Sequence, residues 1–110
     1  MKIFNRAEAV QASTNTNTLV SDSVLNATNA MSVSFTIENS GANSIDWEVV
    51  AGNLADLSDA TVVQAAATVA SGAFSSYAVQ IAPFEFYGIR IESTTTDQAG
   101  EGTIHGICKG

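Results

Sequence analysis

One histidine and one cysteine limit the chemistry this chain can do alone. His105 stands between Ile104 and Gly106, where a general base is conceivable. A single imidazole in an alternating run is more ordinarily the solvent-facing side chain of a strand. His105 and Cys108 are spaced so that a strand sends them to opposite faces, and they cannot readily share a metal ion. Asn53, Asp56 and Asp59 make an oxygen-rich loop of a kind calcium favours, but the pattern lacks the density and closing glutamate of an EF-hand. Turn and cap roles are the expectation there, and for Asp97 and Glu101. Asp46 and Glu48 alternate onto one strand face, yet paired glycosidase carboxylates need a cleft between them. No serine sits in a nucleophile elbow, and there is no glycine-rich phosphate loop. Asn26-Ala27-Thr28 matches a glycosylation sequon and is read as coincidence, because Met1–Val10 lacks the apolar core of a signal peptide. No catalytic, metal or cofactor-binding residue is assigned, and a non-enzymatic protein is expected.

Composition sets the class of protein that holds these residues. At 110 residues the chain is one domain, able to bury roughly two-thirds of its unfolded surface without metal or disulfide. Hydrophobic residues make up 45%, with Ala, Val and Ile prominent and Leu scarce, and Ser, Thr and Asn are abundant. That mixture favours strands and turns over long surface helices. Four Lys and Arg against eleven Asp and Glu give a net charge of −7. Such a surface repels phosphate, so nucleic acid is not an expected partner. No apolar run is long enough to span a membrane as a helix. A lone cysteine closes no intrachain disulfide, and Cys108 is expected as a small buried apolar group in a protein folded in a reducing cytoplasm.

The positioning elements read as short strands. Residues 1–30 are expected to be an N-terminal arm or an edge strand, with Ser13–Thr18 a polar turn or flexible tract. Lys2 and Arg6 leave two readings open there, a basic arm docking on an acidic neighbour and an ordinary terminus. Residues 31–110 are the β-sandwich domain. Val33, Phe35 and Ile37 alternate with polar residues, as do Ile45, Trp47 and Val49, and the two runs are expected to pair antiparallel across the Asn39–Ser44 turn. Thr61–Val69 reads as a strand, followed by a Ser71-Gly72 turn and a run in which Tyr77, Val79 and Ile81 alternate. After Pro83, Tyr87, Ile89 and Ile91 face inward while Phe86, Arg90 and Glu92 face outward. A turn over Asp97–Gly102 leads to a last strand, Thr103–Cys108. Six to eight short strands with regular turns predict an all-β antiparallel sandwich, jelly-roll-like or Ig-like. An outer face carrying a ring and a cation suits contact with another molecule. The candidate interface is therefore Phe84, Phe86 and Arg90, with Lys2, Phe4 and Arg6 on the N-terminal segment.

The order Asn39-Ser-Gly-Ala-Asn-Ser-Ile-Asp-Trp-Glu-Val49, a variable acidic loop, a Ser-Gly punctuated hairpin, Pro83-Phe-Glu-Phe-Tyr-Gly-Ile-Arg-Ile-Glu-Ser93 and Gly100-Glu-Gly-Thr-Ile-His-Gly106 resembles small β-sandwich structural proteins of tailed-bacteriophage virions, most of all capsid decoration or cement proteins. The resemblance covers about residues 31–109. It implies a homo-oligomer, with a trimer favoured, made in the host cytoplasm and bound to the major capsid protein or another virion protein on the capsid surface. Within virions the alternative is a tail or head-fibre accessory domain, and outside them a carbohydrate-binding sandwich module. The resemblance implies no cofactor.

Overall fold

Period-two alternation of apolar and polar residues marks most of the strands, and such a stretch folds with one face turned to the core. The computed structural model describes residues 3–12, 17–94 and 101–110. Eight strands result: β1 (Ile3–Ala12), β2 (Thr18–Asn26), β3 (Ser32–Asn39), β4 (Ile45–Gly52), β5 (Thr61–Val69), β6 (Phe74–Val79), β7 (Phe86–Ser93) and β8 (Glu101–Lys109). They form two four-stranded antiparallel sheets, one ordered β1-β8-β3-β6 and the other β2-β7-β4-β5. That interleaved order is a jelly roll, two sheets whose strands the chain supplies by crossing between layers. No helix occurs among the described residues.

The core is where the two inner faces meet. Val33, Phe35, Ile37, Ile104 and Cys108 come from one sheet, and Leu25, Ile45, Trp47, Val49, Tyr87, Ile89 and Ile91 from the other, all buried in one cluster. Gly106 lies opposite Phe35 in the β3–β8 ladder, and a Cβ there would stand 2.7 Å from the Phe35 ring. The glycine is what lets the ring lie flat over β8.

Two expectations about pairing are corrected. β3 and β4 do not form a hairpin; they lie in different sheets, and Ser40–Ser44 crosses the sandwich. The same holds for the run read as a Ser-Gly hairpin, since β5 and β6 also lie in different sheets. Alternation tells which face of a strand is buried, not which neighbour it bonds, so facing strands and paired strands have the same pattern. Only β4 and β5 are consecutive and paired. The first 30 residues, read as an arm or an edge strand, supply an edge strand to each sheet: β1 pairs with β8 and β2 with β7.

One buried polar side chain and one buried leucine hold the structure at irregular points. Asn39 is fully buried and donates from Nδ2 to the Asn43 and Val69 carbonyls at 2.8 and 2.9 Å. Its Oδ1 accepts from Gly41 N at 3.0 Å, so every polar atom of the side chain is used. This ties the end of β3 in one sheet to the end of β5 in the other. Leu57 closes the Asn53–Ala60 loop onto the outer face of β7. It is buried at φ 56°, a conformation bulky residues rarely adopt, and its side chain covers Gly88.

Candidate contact surfaces

The carboxylates singled out for chemistry are committed to the fold. Asp59 accepts from Asn53 N and Leu54 N at 2.9 and 3.2 Å, closing its own loop. Asp56 accepts from Ser58 N at 3.0 Å, and that bond holds its carboxyl below the usual range. Asn53 Oδ1 accepts from Glu85 N at 3.2 Å. The oxygens of this loop thus face backbone N–H groups, the arrangement of a capped turn. Among the described residues no group of three His, Cys, Asp or Glu side chains could hold a metal ion.

On the outer face of the β2-β7-β4-β5 sheet, Asp46 accepts from the Thr68 hydroxyl at 2.6 Å. Glu48 accepts from Asn17 at 2.8 Å and pairs with Arg90 at 3.3 Å. Arg90 is therefore half-buried and neutralised within its own sheet. Phe86 is half-buried on the same face. On the opposite outer face, His105 Nδ1 lies 3.8 Å from Glu8 Oε1, its cross-strand neighbour, and both are exposed. No local sequence pattern marks Glu8, because the pairing between β1 and β8 joins residues far apart in the chain.

Cys108 is buried as expected, with its thiol 3.3 Å from the Asn26 carbonyl. Burial pushes its pKa up, which makes it a poor nucleophile at neutral pH.

The six candidate interface residues do not form one surface. Phe86 and Arg90 share an outer face. Arg6 is exposed on the other one, opposite Ile107. Phe84, expected to point outward, instead packs on the core, edge-on to Tyr87 with ring centroids 6.2 Å apart. It follows Pro83 in the connection to β7, where strand alternation does not apply. Lys2, the side chain of Phe4, residues Ser13–Thr16 of the polar tract and Asp97 of the expected turn lie outside the described residues.

The large apolar side chains most exposed to solvent among the described residues are elsewhere. Phe74 at the start of β6 is 74% exposed, Ile81 just past its end 76%, and Met31 61%. Ala82 N donates to Met31 O, so Met31 and Ile81 sit together at one end of the sandwich. A depression of about 330 Å³ there is lined by Met31, Ser32, Gln80, Lys109 and Gly110. The signal in the sequence that marks this side is charge: residues 60–84 contain no Asp, Glu, Lys or Arg.

No family model matches the chain, and no curated protein matches it in sequence. Among solved structures it is similar to the crystal structure of PirA, with a TM-score of 0.58 and 17% identity over 89% of this chain and 91% of that one. At that identity the likeness is one of fold, a small β structure of nearly the same extent.

Proposed function

We propose that this protein works by contact and not by chemistry, as a non-enzymatic structural protein of a tailed-phage virion that binds the capsid exterior in the manner of a decoration protein. The observation that carries the reading is the exposure of Met31 and Ile81 side by side at one end of the sandwich, with Phe74 exposed at the other end of β6. Adjacent large apolar side chains left in solvent mark surfaces that another macromolecule covers. The strand and turn order from Asn39 to Gly106 supplies the resemblance to virion proteins. A decoration protein needs no reacting groups. It binds the assembled lattice in preference to free subunits and so stabilises the shell by linkage. Many modest contacts repeated by symmetry suffice.

The test is co-sedimentation of the purified chain with shells assembled from the major capsid protein of the same phage, alongside a pull-down on the unassembled subunit. Saturable binding to shells, with weaker binding to the free subunit, is expected. Failure to bind shells would overturn the reading.

A further inference from the structure

Arg6, Arg90 and Lys109 are the arginines and lysine among the described residues. Arg90 pairs with Glu48, but neither Arg6 nor Lys109 has a carboxylate within ion-pair distance among those residues. The ladder sets these two cations on one face. Arg6 lies opposite Ile107 on β8, and Lys109 is the next outward residue along that strand. Diagonal neighbours of this kind are about 7–8 Å apart, so both can reach one segment of another molecule. On β3, Ser32 lies opposite Lys109 and Ser34 opposite Ile107, and on β6 Ala78 lies opposite Ser34. This end of the outer face of the β1-β8-β3-β6 sheet therefore carries two cations and no Asp or Glu. In a chain of eleven acids and four Lys and Arg, that is a local reversal of charge. Glu8, one row further along the face, lies beside His105.

Apolar side chains border the patch. Ile3, opposite Lys109, is exposed. Met31 N donates to Lys109 O at 2.8 Å, which places the exposed Met31 at the same spot, with Ile81 next to it. The depression between Met31, Gln80 and Lys109 opens there.

We propose that this patch is where the chain holds its partner, and that the segment it takes is acidic, with a carboxylate over Arg6 and Lys109 and an apolar side chain against Met31 in the depression. The identity of the partner rests on the virion reading; the chemistry of the segment is read from the patch. A basic segment would set like charges together with no acid on this side to meet them. A wholly apolar one would cover the half-buried Lys109 and leave its ammonium without water or counter-ion. An extended polyanion meets the rest of the −7 surface, whereas a short segment touches the patch alone, and charges more than about 8 Å away are screened at physiological salt.

The test follows the amide resonances of the nitrogen-labelled chain during titration with a capped peptide of alternating leucine and glutamate, and with its glutamine and lysine counterparts. The glutamate peptide should move Met31, Ser32, Ser34, Gln80 and Lys109, the glutamine peptide should bind more weakly, and the lysine peptide should leave them in place. R6Q/K109Q should weaken the glutamate peptide about fivefold or more, as for loss of two partly exposed ion pairs. T61E/A65E lowers the net charge by the same amount at exposed positions of the other sheet and should bind like the unaltered chain. A patch that does not respond to the glutamate peptide, equal affinity for the glutamate and lysine peptides, or an R6Q/K109Q variant that binds unchanged would overturn the proposal. Co-sedimentation with shells separates it from the virion reading. Shell binding that R6Q/K109Q leaves intact overturns this contact and keeps that reading, and a chain that takes the glutamate peptide at the patch but ignores shells does the reverse.

Discussion

Ser23 Oγ accepts the Ile89 N–H at 2.9 Å while donating its own proton to the Val20 carbonyl at 2.6 Å. Val20 lies opposite Ile89 as the last pair before the two strands lose register, and the Ser23 hydroxyl bridges the Val20 carbonyl and the Ile89 N–H. A fully buried hydroxyl thus satisfies one donor and one acceptor in the core. The bulge is thereby compatible with a dry interior.

Ser23→Ala removes both bonds and leaves the Ile89 N–H and the Val20 carbonyl without this partner. The expected loss is about 1–3 kcal/mol, the range for orphaning buried polar groups. Urea unfolding of the variant against the parent measures it. A midpoint that stays in place would mean that the bulge rearranges to rejoin the ladder.

Asn39→Ala should cost more, on the order of 2–4 kcal/mol, because two carbonyls lose their donors at once and Gly41 N loses its acceptor. Asn39→Asp is the sharper comparison. It keeps an acceptor for Gly41 N but turns a carboxylate toward the Asn43 and Val69 carbonyls, so at neutral pH it should be less stable than the alanine variant. Thermal unfolding of the pair decides the order. Equal stability would mean that the two donated bonds contribute nothing.

Gly106→Ala places a methyl 2.7 Å from the Phe35 ring and 3.1 Å from Leu25 Cδ1. Neither neighbour has free space, since both are fully buried. Overpacking of this kind costs about 1–3 kcal/mol. Gly106→Ala combined with Phe35→Leu should recover part of it, and a double-mutant cycle on urea midpoints would measure that coupling.

How far these features are legible in the sequence depends on their range. The inward sets Val33/Phe35/Ile37, Ile45/Trp47/Val49 and Tyr87/Ile89/Ile91 follow from alternation alone, because a half-buried strand must alternate. Burial of Cys108 follows in the same way. Whether β3 bonds to β4 or faces it across the core does not, since both arrangements bury the same residues. Ser23 and Asn39 read as ordinary turn-formers, and only the register shift beside one and the sheet crossing beside the other make them core residues. Phe84 departs from the outward position that a strand over Phe84–Ile91 would give it, because β7 begins only at Phe86. For contact, the ring and cation that the sequence places on the outer face of β7 are a half-buried Phe86 and an Arg90 already paired with Glu48. The uncharged stretch 60–84 is plain in the sequence, but only the fold shows that it supplies an edge strand to each sheet, β5 and β6.

Stability should fall on the alkaline side. Burial pushes the Cys108 thiol and the Tyr77 and Tyr87 phenols above their ordinary values; at Tyr87 a hydrogen bond from the Phe84 backbone offsets part of the effect. The folded chain therefore holds these protons more tightly than the unfolded chain. Below the ordinary values both states are protonated and the contribution is fully present. As pH rises past 9.0 for the thiol and 10.0 for the phenols, the unfolded chain ionises first and the folded state loses stability. The loss levels off once the folded groups ionise too. Urea midpoints at about pH 8, 9.5 and 10.5 should decline in that order, by an amount that follows the protons released on unfolding. In Cys108→Ala the decline should begin later, with the phenols alone, although the variant starts less stable because a buried side chain is shortened. A midpoint constant to about pH 10.5 in the unaltered chain would mean that none of the three protons is held by the fold.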